Sequence, residues 1–111
     1  MTDCVFCNII NKTIPSQPVF ENGNLLVIND INPKAPVHLL VVPKKHINGI
    51  HTLAAGDEAL AGELIFVAKQ MAEKFGVGES GYKLVFNVGR DGGQVVPHLH
   101  LHLLGGRQLA E

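Results

Sequence analysis

The stretch that most constrains this chain is Pro97-His-Leu-His-Leu-His-Leu103, in which histidine and leucine alternate. Successive side chains of a β-strand point to opposite faces of the sheet, so a strand would place the three histidines on one face and the three leucines on the other. A helix would instead turn His100 away from the other two histidines. The alternation, closed by Gly105-Gly106, therefore predicts a final strand over His98–Leu104.

The rest of the chain predicts two helices and four more strands. Apolar residues at spacings of three and four predict a short helix within Cys4–Asn11 and a long helix that begins near Asp57 and ends at Gly76. Asn22-Gly23 is typical of a tight hairpin turn. The remaining predicted strands are Val19–Glu21, Leu25–Asn29, Val37–Val42 and Tyr82–Val88. Because strands joined by short turns do not alternate with helices here, we predict an α+β domain with an antiparallel sheet.

Composition argues against several classes of function. The chain has 111 residues, 46% of them hydrophobic, which is enough for one domain with its own core. A net charge of -1 argues against a nucleic-acid surface and against a polybasic membrane anchor. No apolar run approaches the roughly 20 residues of a spanning helix, and the first residues do not resemble a signal peptide. We expect a single domain over residues 1–111, a cytoplasmic location, and neither nucleic acid nor membrane as a partner.

Three imidazoles on one face suit two kinds of chemistry. Neutral ring nitrogens can bind a metal ion. A neutral imidazole can also act as a nucleophile when a partner on its other nitrogen fixes the tautomer. A solvated polar face of an edge strand is a third interpretation, which such regular alternation makes the weakest. The spacing of Cys4 and Cys7 is that of metal ligands, but the pair is only half of a site.

The run His98-Leu-His-Leu-His-Leu-Leu104 resembles the signature of the histidine triad family, in which two hydrophobic residues follow three alternating histidines. Other stretches resemble the Hint branch of that family, which binds and hydrolyses nucleotides; they are Asp30–His38, Val42–His46, Asp91–Gln94 and Leu104–Arg107. The similarity covers the chain from about Phe6 to Gln108. It implies an antiparallel sheet of about five strands with one long and one short helix, in a homodimer whose sheet continues across the interface.

The resemblance implies a hydrolase of the purine nucleoside phosphoramidase kind. In this family the middle histidine, here His100, attacks the α-phosphorus of a purine nucleoside 5′-phosphoramidate or of an acyl- or aminoacyl-adenylate. Water then hydrolyses the nucleotidyl-histidine intermediate to the nucleoside monophosphate, and no metal takes part in the chemistry. An imidazole with a pKa of about 6.5 is largely neutral at pH 7 and can attack phosphorus. We expect His102 to contact the phosphate or help move protons.

The family also has an upstream active-site histidine, and His38 matches it. We expect His38 to hold the His100 ring through a hydrogen bond. A buried core histidine is the alternative interpretation of this residue.

Further matches to the Hint pattern predict where the nucleoside binds. Asp30 corresponds to an acidic residue that accepts hydrogen bonds from the ribose hydroxyls; without the family it would be read as the cap of the following turn. Ile9, Ile28 and Ile31 correspond to positions that line an apolar slot for the base. From their spacing alone, packing in the core is the simpler interpretation.

The same resemblance places the phosphate beside the turn over residues 89–93. We expect the backbone N–H groups of Gly93, Gln94 and Val95 to bind phosphate oxygens, as concave loops can. For the glycines alone, a hairpin turn is the simpler interpretation. Asn87 matches a polar residue near the phosphate. Many Hint proteins carry a serine at the position of Val95, so this chain lacks that hydroxyl donor.

Some Hint proteins that have the two cysteines also bind zinc. In this chain the corresponding ligands are Cys4, Cys7, His46 and His98, a closed Cys2His2 set with no position for water. We expect a structural zinc ion that ties the N-terminal segment to the last strand. As a ligand, His98 could not serve as a general acid.

Two other classes of function remain open from the sequence. One is a non-catalytic nucleotide-binding or adaptor protein that uses the same pocket, and the other is a metal-binding module built on the three histidines. Dinucleotide hydrolases and nucleotidyl transferases of the same family match the motifs less fully. Turnover of adenosine 5′-phosphoramidate separates an enzyme from a binding protein.

Overall fold

The computed structural model describes residues 3–111; Met1 and Thr2, which begin the predicted domain, lie outside the described residues. In chain order the elements are helix α1 (Val5–Ile10), strands β1 (Phe20–Glu21), β2 (Leu25–Asn29) and β3 (Val37–Pro43), a 3-10 turn (Ile50–Thr52), helix α2 (Glu58–Lys74), and strands β4 (Tyr82–Val85) and β5 (Leu101–Gly105). Within this range the strands form one antiparallel sheet in the order β1-β2-β3-β5-β4. The predicted α+β fold, with one long and one short helix, is confirmed.

The sheet separates two apolar layers. The larger layer lies between the sheet and α2, and the leucines of the histidine run belong to it: Leu99, Leu101 and Leu103. The smaller layer lies on the opposite face against α1, where Phe6 packs with Leu26, Ile28, Leu40 and Val42. Burying one such side chain stabilises the fold by about 1.5–3 kcal/mol. Because the leucines take the α2 side, the alternating histidines face α1.

Helix α2 begins and ends where the sequence predicts. The Asp57 carboxylate precedes it and accepts a hydrogen bond from the Ala54 N–H at 2.9 Å. Gly76 adopts a φ of 78°, a conformation that favours glycine, and stops the helix. None of the helices within residues 3–111 combines the length and the apolar character that crossing a bilayer would require.

Three strands are shorter than the sequence predicts, and β1 differs only in that it begins at Phe20 instead of Val19. Strand β4 ends at Val85, three residues before its predicted end, and β5 begins at Leu101, three residues after its predicted start. The Leu99 N–H donates to the Ile47 carbonyl at 2.6 Å, so this part of the run pairs with a loop instead of a strand. Side-chain alternation holds even so, because it needs only an extended backbone.

Candidate active site

Three histidine rings meet on the α1 side of the sheet. The ring centroids of His100 and His102 are 5.0 Å apart, and those of His38 and His102 are 5.2 Å apart. The pairing of β3 with β5 produces the second contact, because Leu40 is the partner of His102 and His38 lies two residues before Leu40 on the same face.

One hydrogen bond fixes the tautomer of His100. Its Nδ1 lies 2.7 Å from the His98 carbonyl oxygen. Since a carbonyl oxygen only accepts, Nδ1 carries the proton and Nε2 keeps its lone pair. Nε2 has no hydrogen-bond partner among residues 3–111. A neutral imidazole with one nitrogen anchored and the other open is the form that a nucleophile requires.

A second set of hydrogen bonds fixes the tautomers of His38 and His102. The backbone N–H of Lys34 donates to His38 Nδ1 at 3.1 Å, so the proton of His38 is on Nε2. That Nε2 lies 3.0 Å from His102 Nδ1 and 3.4 Å from Asp30 Oδ2. The Nδ1 of His102 therefore accepts, and its own proton is on Nε2. His102 presents an N–H donor next to the open nitrogen of His100.

Burial keeps both of these rings neutral at pH 7. Burial lowers the pKa of His38 below its usual range, although the Asp30 carboxylate opposes the shift. Burial, with smaller contributions from His100 and His38, lowers the pKa of His102 to about 4. His102 therefore acts as a hydrogen-bond donor in the neutral form.

The predicted contact between His38 and His100 is wrong. The partner of His38 is His102, because the register of β3 and β5 brings these two rings together. His100 lies before β5 begins, and its ring turns toward the His98 carbonyl. His38 is buried, as in the alternative interpretation of this residue, but it also belongs to the hydrogen-bonded set.

Asp30 follows β2 directly and lies beside the rings of His38 and His102. Its Oδ1 accepts from the Asn32 N–H at 2.8 Å, which is the turn-capping contact considered from the sequence. Its Oδ2 faces His38, and the side chain is 16% exposed. One carboxylate therefore caps the loop and also borders the site.

The three isoleucines assigned to the base lie in different surroundings. Ile9 lines a cleft of about 220 Å³ together with Ile10, Ile14 and Leu26. Ile28 is buried in the layer against α1, and little of its surface is accessible to a ligand. Ile31 is 92% exposed.

The turn predicted to bind phosphate uses two of its N–H groups internally. The Gly93 N–H donates to the Arg90 carbonyl at 3.1 Å, and the Gln94 N–H donates to the Gly89 carbonyl at 3.0 Å. These two groups are not available to phosphate, contrary to the prediction. The Gln94 side chain ties the turn to a neighbouring loop, since its Nε2 donates to the Asn48 carbonyl at 2.6 Å.

Val95 differs from the two residues before it. Its side chain is 90% exposed, and its N–H has no partner among the described residues. Asn87 donates from Nδ2 to the Gly92 carbonyl at 2.8 Å and so stabilises the turn. Within the predicted phosphate set, Val95 is the residue whose N–H remains open.

The four predicted zinc ligands lie together at the start of α1. Cys7 Sγ is 3.1 Å from His46 Nδ1, and Cys4 Sγ is 3.3 Å from His98 Nδ1. The candidate ligand atoms of all four residues lie within 4.8 Å of one another. No disulfide joins the two cysteines.

The hydrogen bonds around this cluster fit a metal ion. His98 donates from Nε2 to the Pro43 carbonyl at 2.9 Å, and His46 Nε2 lies 2.9 Å from Asn48 Oδ1. Both rings therefore turn unprotonated Nδ1 atoms toward each other, and these atoms are 3.0 Å apart. Two facing lone pairs repel unless a cation or a proton lies between them. Such outer contacts on ligating histidines are usual at zinc sites.

The sequence analysis missed two contributors to the site. Phe6 lies between the cysteines in sequence, and its ring is 5.6 Å from that of His98 and 5.1 Å from that of His100. Lys34 acts through its backbone N–H, which any residue but proline offers. The C-x-x-C spacing could have drawn attention to Phe6, whereas nothing in the sequence marks Lys34.

Comparison with known proteins agrees with this geometry. The HIT domain family model matches residues 11–109. A protein of Escherichia coli (strain K12) named purine nucleoside phosphoramidase is 41% identical over 107 residues, which are 96% of this chain and 90% of that protein. The structure of a HIT family hydrolase from Legionella pneumophila Philadelphia 1 is 49% identical, with a TM-score of 0.95 and coverage of 97% of this chain and 96% of that one. A histidine triad protein from Clostridium difficile is 40% identical, with a TM-score of 0.95 and coverage of 100% and 96%.

Proposed function

The chain belongs to the histidine triad (HIT) family, and from that premise we propose that it is a hydrolase of purine nucleoside 5′-phosphoramidates or aminoacyl-adenylates. The observation that carries the proposal is the fixed tautomer of His100, whose Nδ1 is bonded to the His98 carbonyl while Nε2 remains open. The name of the Escherichia coli relative supports the phosphoramidate as substrate.

The first step transfers the nucleotidyl group to the enzyme. The lone pair on His100 Nε2 forms a bond to the α-phosphorus, and the P–N bond breaks with its electron pair going to the leaving nitrogen. That nitrogen takes up one proton from solvent and departs as the amine. Imidazole is also a good leaving group from phosphorus, so one difficult displacement becomes two easier ones.

The second step returns the enzyme to its starting state. Water attacks phosphorus, the bond from phosphorus to His100 Nε2 breaks, and its electron pair returns to that nitrogen. The attacking water releases one proton to solvent, which balances the proton consumed in the first step. The product is the nucleoside monophosphate.

His102 stabilises the charge that develops on phosphorus in both steps. Its Nε2–H is directed by His38 and hydrogen-bonds a phosphoryl oxygen. Removing one such preorganised donor typically costs a factor of about 10²–10³ in kcat. The open N–H of Val95 is a second donor for the phosphate, and Asp30 accepts from the ribose hydroxyls. Ile9 borders the base.

Zinc in this proposal is structural. Cys4, Cys7, His46 and His98 would hold it, and it would supply no part of the reaction. It would fasten α1, and with it Phe6, against the backbone of the histidine run.

We include in the proposal a homodimer with a continuous sheet. Strand β4 lies at one edge of the sheet, and Leu84 on it is 37% exposed. On α2, Ile65 and Phe66 are 49% and 58% exposed. The molar mass in solution tests this part, and we expect twice the 12.0 kDa of one chain. The cytoplasmic location and the lack of nucleic-acid and membrane partners stay predictions.

The function is tested by ammonia release from adenosine 5′-phosphoramidate. We expect turnover by the native protein and a loss of at least about 10³-fold in His100→Asn, since the nucleophile is removed. His51→Asn is the matched control, because His51 is exposed and lies outside the site. Tight binding of nucleoside monophosphate without turnover by the native protein would favour the adaptor function instead.

A further inference from the structure

The loop between β2 and β3, residues 30–36, connects the segment that follows β5 to the active site. The Arg107 guanidinium donates from Nη2 to the Lys34 carbonyl at 2.7 Å, over 73 positions of sequence. Its Nη1 donates to the Gln108 carbonyl at 3.1 Å, which fixes the guanidinium from the other side. The same Lys34 donates its N–H to His38 Nδ1. One residue therefore joins Arg107 to the hydrogen bonds of the active site.

Close packing holds the far end of this loop. Gly106 has a φ of 97°, and a Cβ added there would lie 2.8 Å from Pro36 Cβ. Only a glycine allows the turn after β5 to lie directly on Pro36. At the near end, the contact of Asp30 with the Asn32 N–H fixes the start of the loop. The position of Lys34 thus depends on Gly106 and Arg107.

The Lys34 N–H, together with the Asp30 carboxylate that faces His38 Nε2, decides which nitrogen of His102 carries a proton. With the Lys34 N–H in place, His38 Nδ1 accepts and His38 Nε2 donates to His102 Nδ1. If the Lys34 N–H moves away, the proton of His38 can shift to Nδ1. His38 Nε2 then accepts from His102 Nδ1, and His102 Nε2 loses its proton. Displacement of the Lys34 N–H would therefore turn His102 Nε2 from a hydrogen-bond donor into an acceptor.

We infer that Gly106 and Arg107 are positioning residues, which act through Lys34 and His38 to keep the Nε2–H of His102 directed at the substrate. The inference rests on the proposed function for its catalytic consequence. The effect on the tautomer is independent of the proposed function, because the tautomer exists in the protein without substrate.

The first test uses Arg107→Ala, with ¹⁵N NMR of the imidazoles in the substrate-free protein. We expect the His102 signals to move from the Nε2–H form toward a mixture of tautomers. We also expect kcat to fall about tenfold, since small displacements of catalytic groups are costly. KM should stay within about twofold, and Arg107→Lys should recover part of the loss because it keeps a cationic donor.

Lys74→Ala is the control for this variant. Lys74 also donates to a backbone carbonyl, that of Val19 at 3.0 Å, and its loss removes the same charge far from the loop in sequence. Native His102 signals in Arg107→Ala would overturn the inference, as would a rise in KM with unchanged kcat. If the native protein releases no ammonia but Arg107→Ala still shifts the His102 tautomer, the proposed function is wrong and the positioning role stands.

The second test compares two glycines that have the same φ. Gly106→Ala and Gly56→Ala introduce the same backbone strain, since both glycines have a φ of 97°, but a Cβ at Gly56 meets no atom within 4 Å. We expect both variants to lose stability and only Gly106→Ala to change the His102 tautomer. Equal His102 spectra in the two variants would contradict the inference. Where Gly106→Ala fails to fold, the spectra of Arg107→Ala decide.

Discussion

The two histidine clusters of this protein both include residues of the same extended run and differ in how many ring nitrogens remain open. In the closed cluster, formed by Cys4, Cys7, His46 and His98, both nitrogens of His98 have close partners and the residue is fully buried. In the open cluster, formed by His38, His100 and His102, the Nε2 atoms of the last two have no partner among residues 3–111. His98 and His100 are two residues apart, so the difference comes from their partners.

One extended run can therefore contribute to two clusters of different character. A ring whose nitrogens are both engaged adds to stability and has nothing left for a substrate. A ring with one engaged nitrogen is oriented, and the other nitrogen is ready to react. The two clusters are joined through the His98 carbonyl, which belongs to a residue of the first and anchors His100 of the second.

Removal of metal should have the largest effect on stability, and this effect should depend on the closed cluster and not on the open one. We expect a chelator to lower the Tm of the zinc-loaded protein by about 10 °C, since a tightly bound ligand adds a few kcal/mol to a small domain. Scanning calorimetry with and without chelator measures this shift. The Tm of Cys7→Ser should not depend on zinc, whereas His100→Asn should keep the full dependence. Equal Tm values for the native protein in both conditions would remove zinc from the account.

Acid should destabilise the open cluster over a defined interval of pH. Burial lowers the pKa of His102 to about 4 in the native state. The unfolded state is therefore protonated below a pH of about 6.5, whereas the native state stays neutral until the pH approaches 4. The stabilisation is complete above that pH and is lost as pH falls toward 4, where both states are protonated. Because His102 is only half-buried, solvent screens part of this effect, and we expect a loss of about 1–2 kcal/mol.

The measurement is the free energy of unfolding in urea from pH 7 to pH 4. His102→Gln should lose less stability over this interval than the native protein. Burial also lowers the pKa of His38 and of His98, and both of these residues are present in the two proteins compared. Parallel curves for the two proteins would show that His102 is not protected from protonation in the native state.

Val95→Ser should have the smallest effect. The substitution adds a hydroxyl donor beside an open backbone N–H, and one neutral hydrogen bond is worth up to about a fivefold gain in kcat/KM. The Tm should not change, because Val95 is 90% exposed. Steady-state kinetics with adenosine 5′-phosphoramidate decides, and an unchanged kcat/KM would place the phosphate elsewhere.

Local periodicity made much of the fold predictable. The alternation of the histidine run, the Asn22-Gly23 hairpin and the apolar face of α2 each depend on neighbours in sequence, and the predicted elements are present. Strand ends were less predictable, because they depend on which distant backbone is available. The Leu99 N–H bonds to the Ile47 carbonyl, and no local pattern indicates that partner.

Side-chain partners across the sheet could not be predicted from the same evidence. The wrong partner for His38 came from not knowing the register of β3 against β5. The N–H groups of Gly93 and Gln94 looked open in the sequence, but the turn closes on them through its own carbonyls. In both cases the error concerns hydrogen bonds, which depend on distances finer than a sequence pattern specifies.

The most direct test of the nucleophile is intact-protein mass spectrometry of enzyme quenched during turnover, followed by peptide mapping. We expect the mass of the protein to increase by that of a nucleoside monophosphate minus water, with the adduct located on His100 and absent from His100→Asn. Turnover with no adduct at any quench time, or an adduct that maps to His102 or His38, would contradict it.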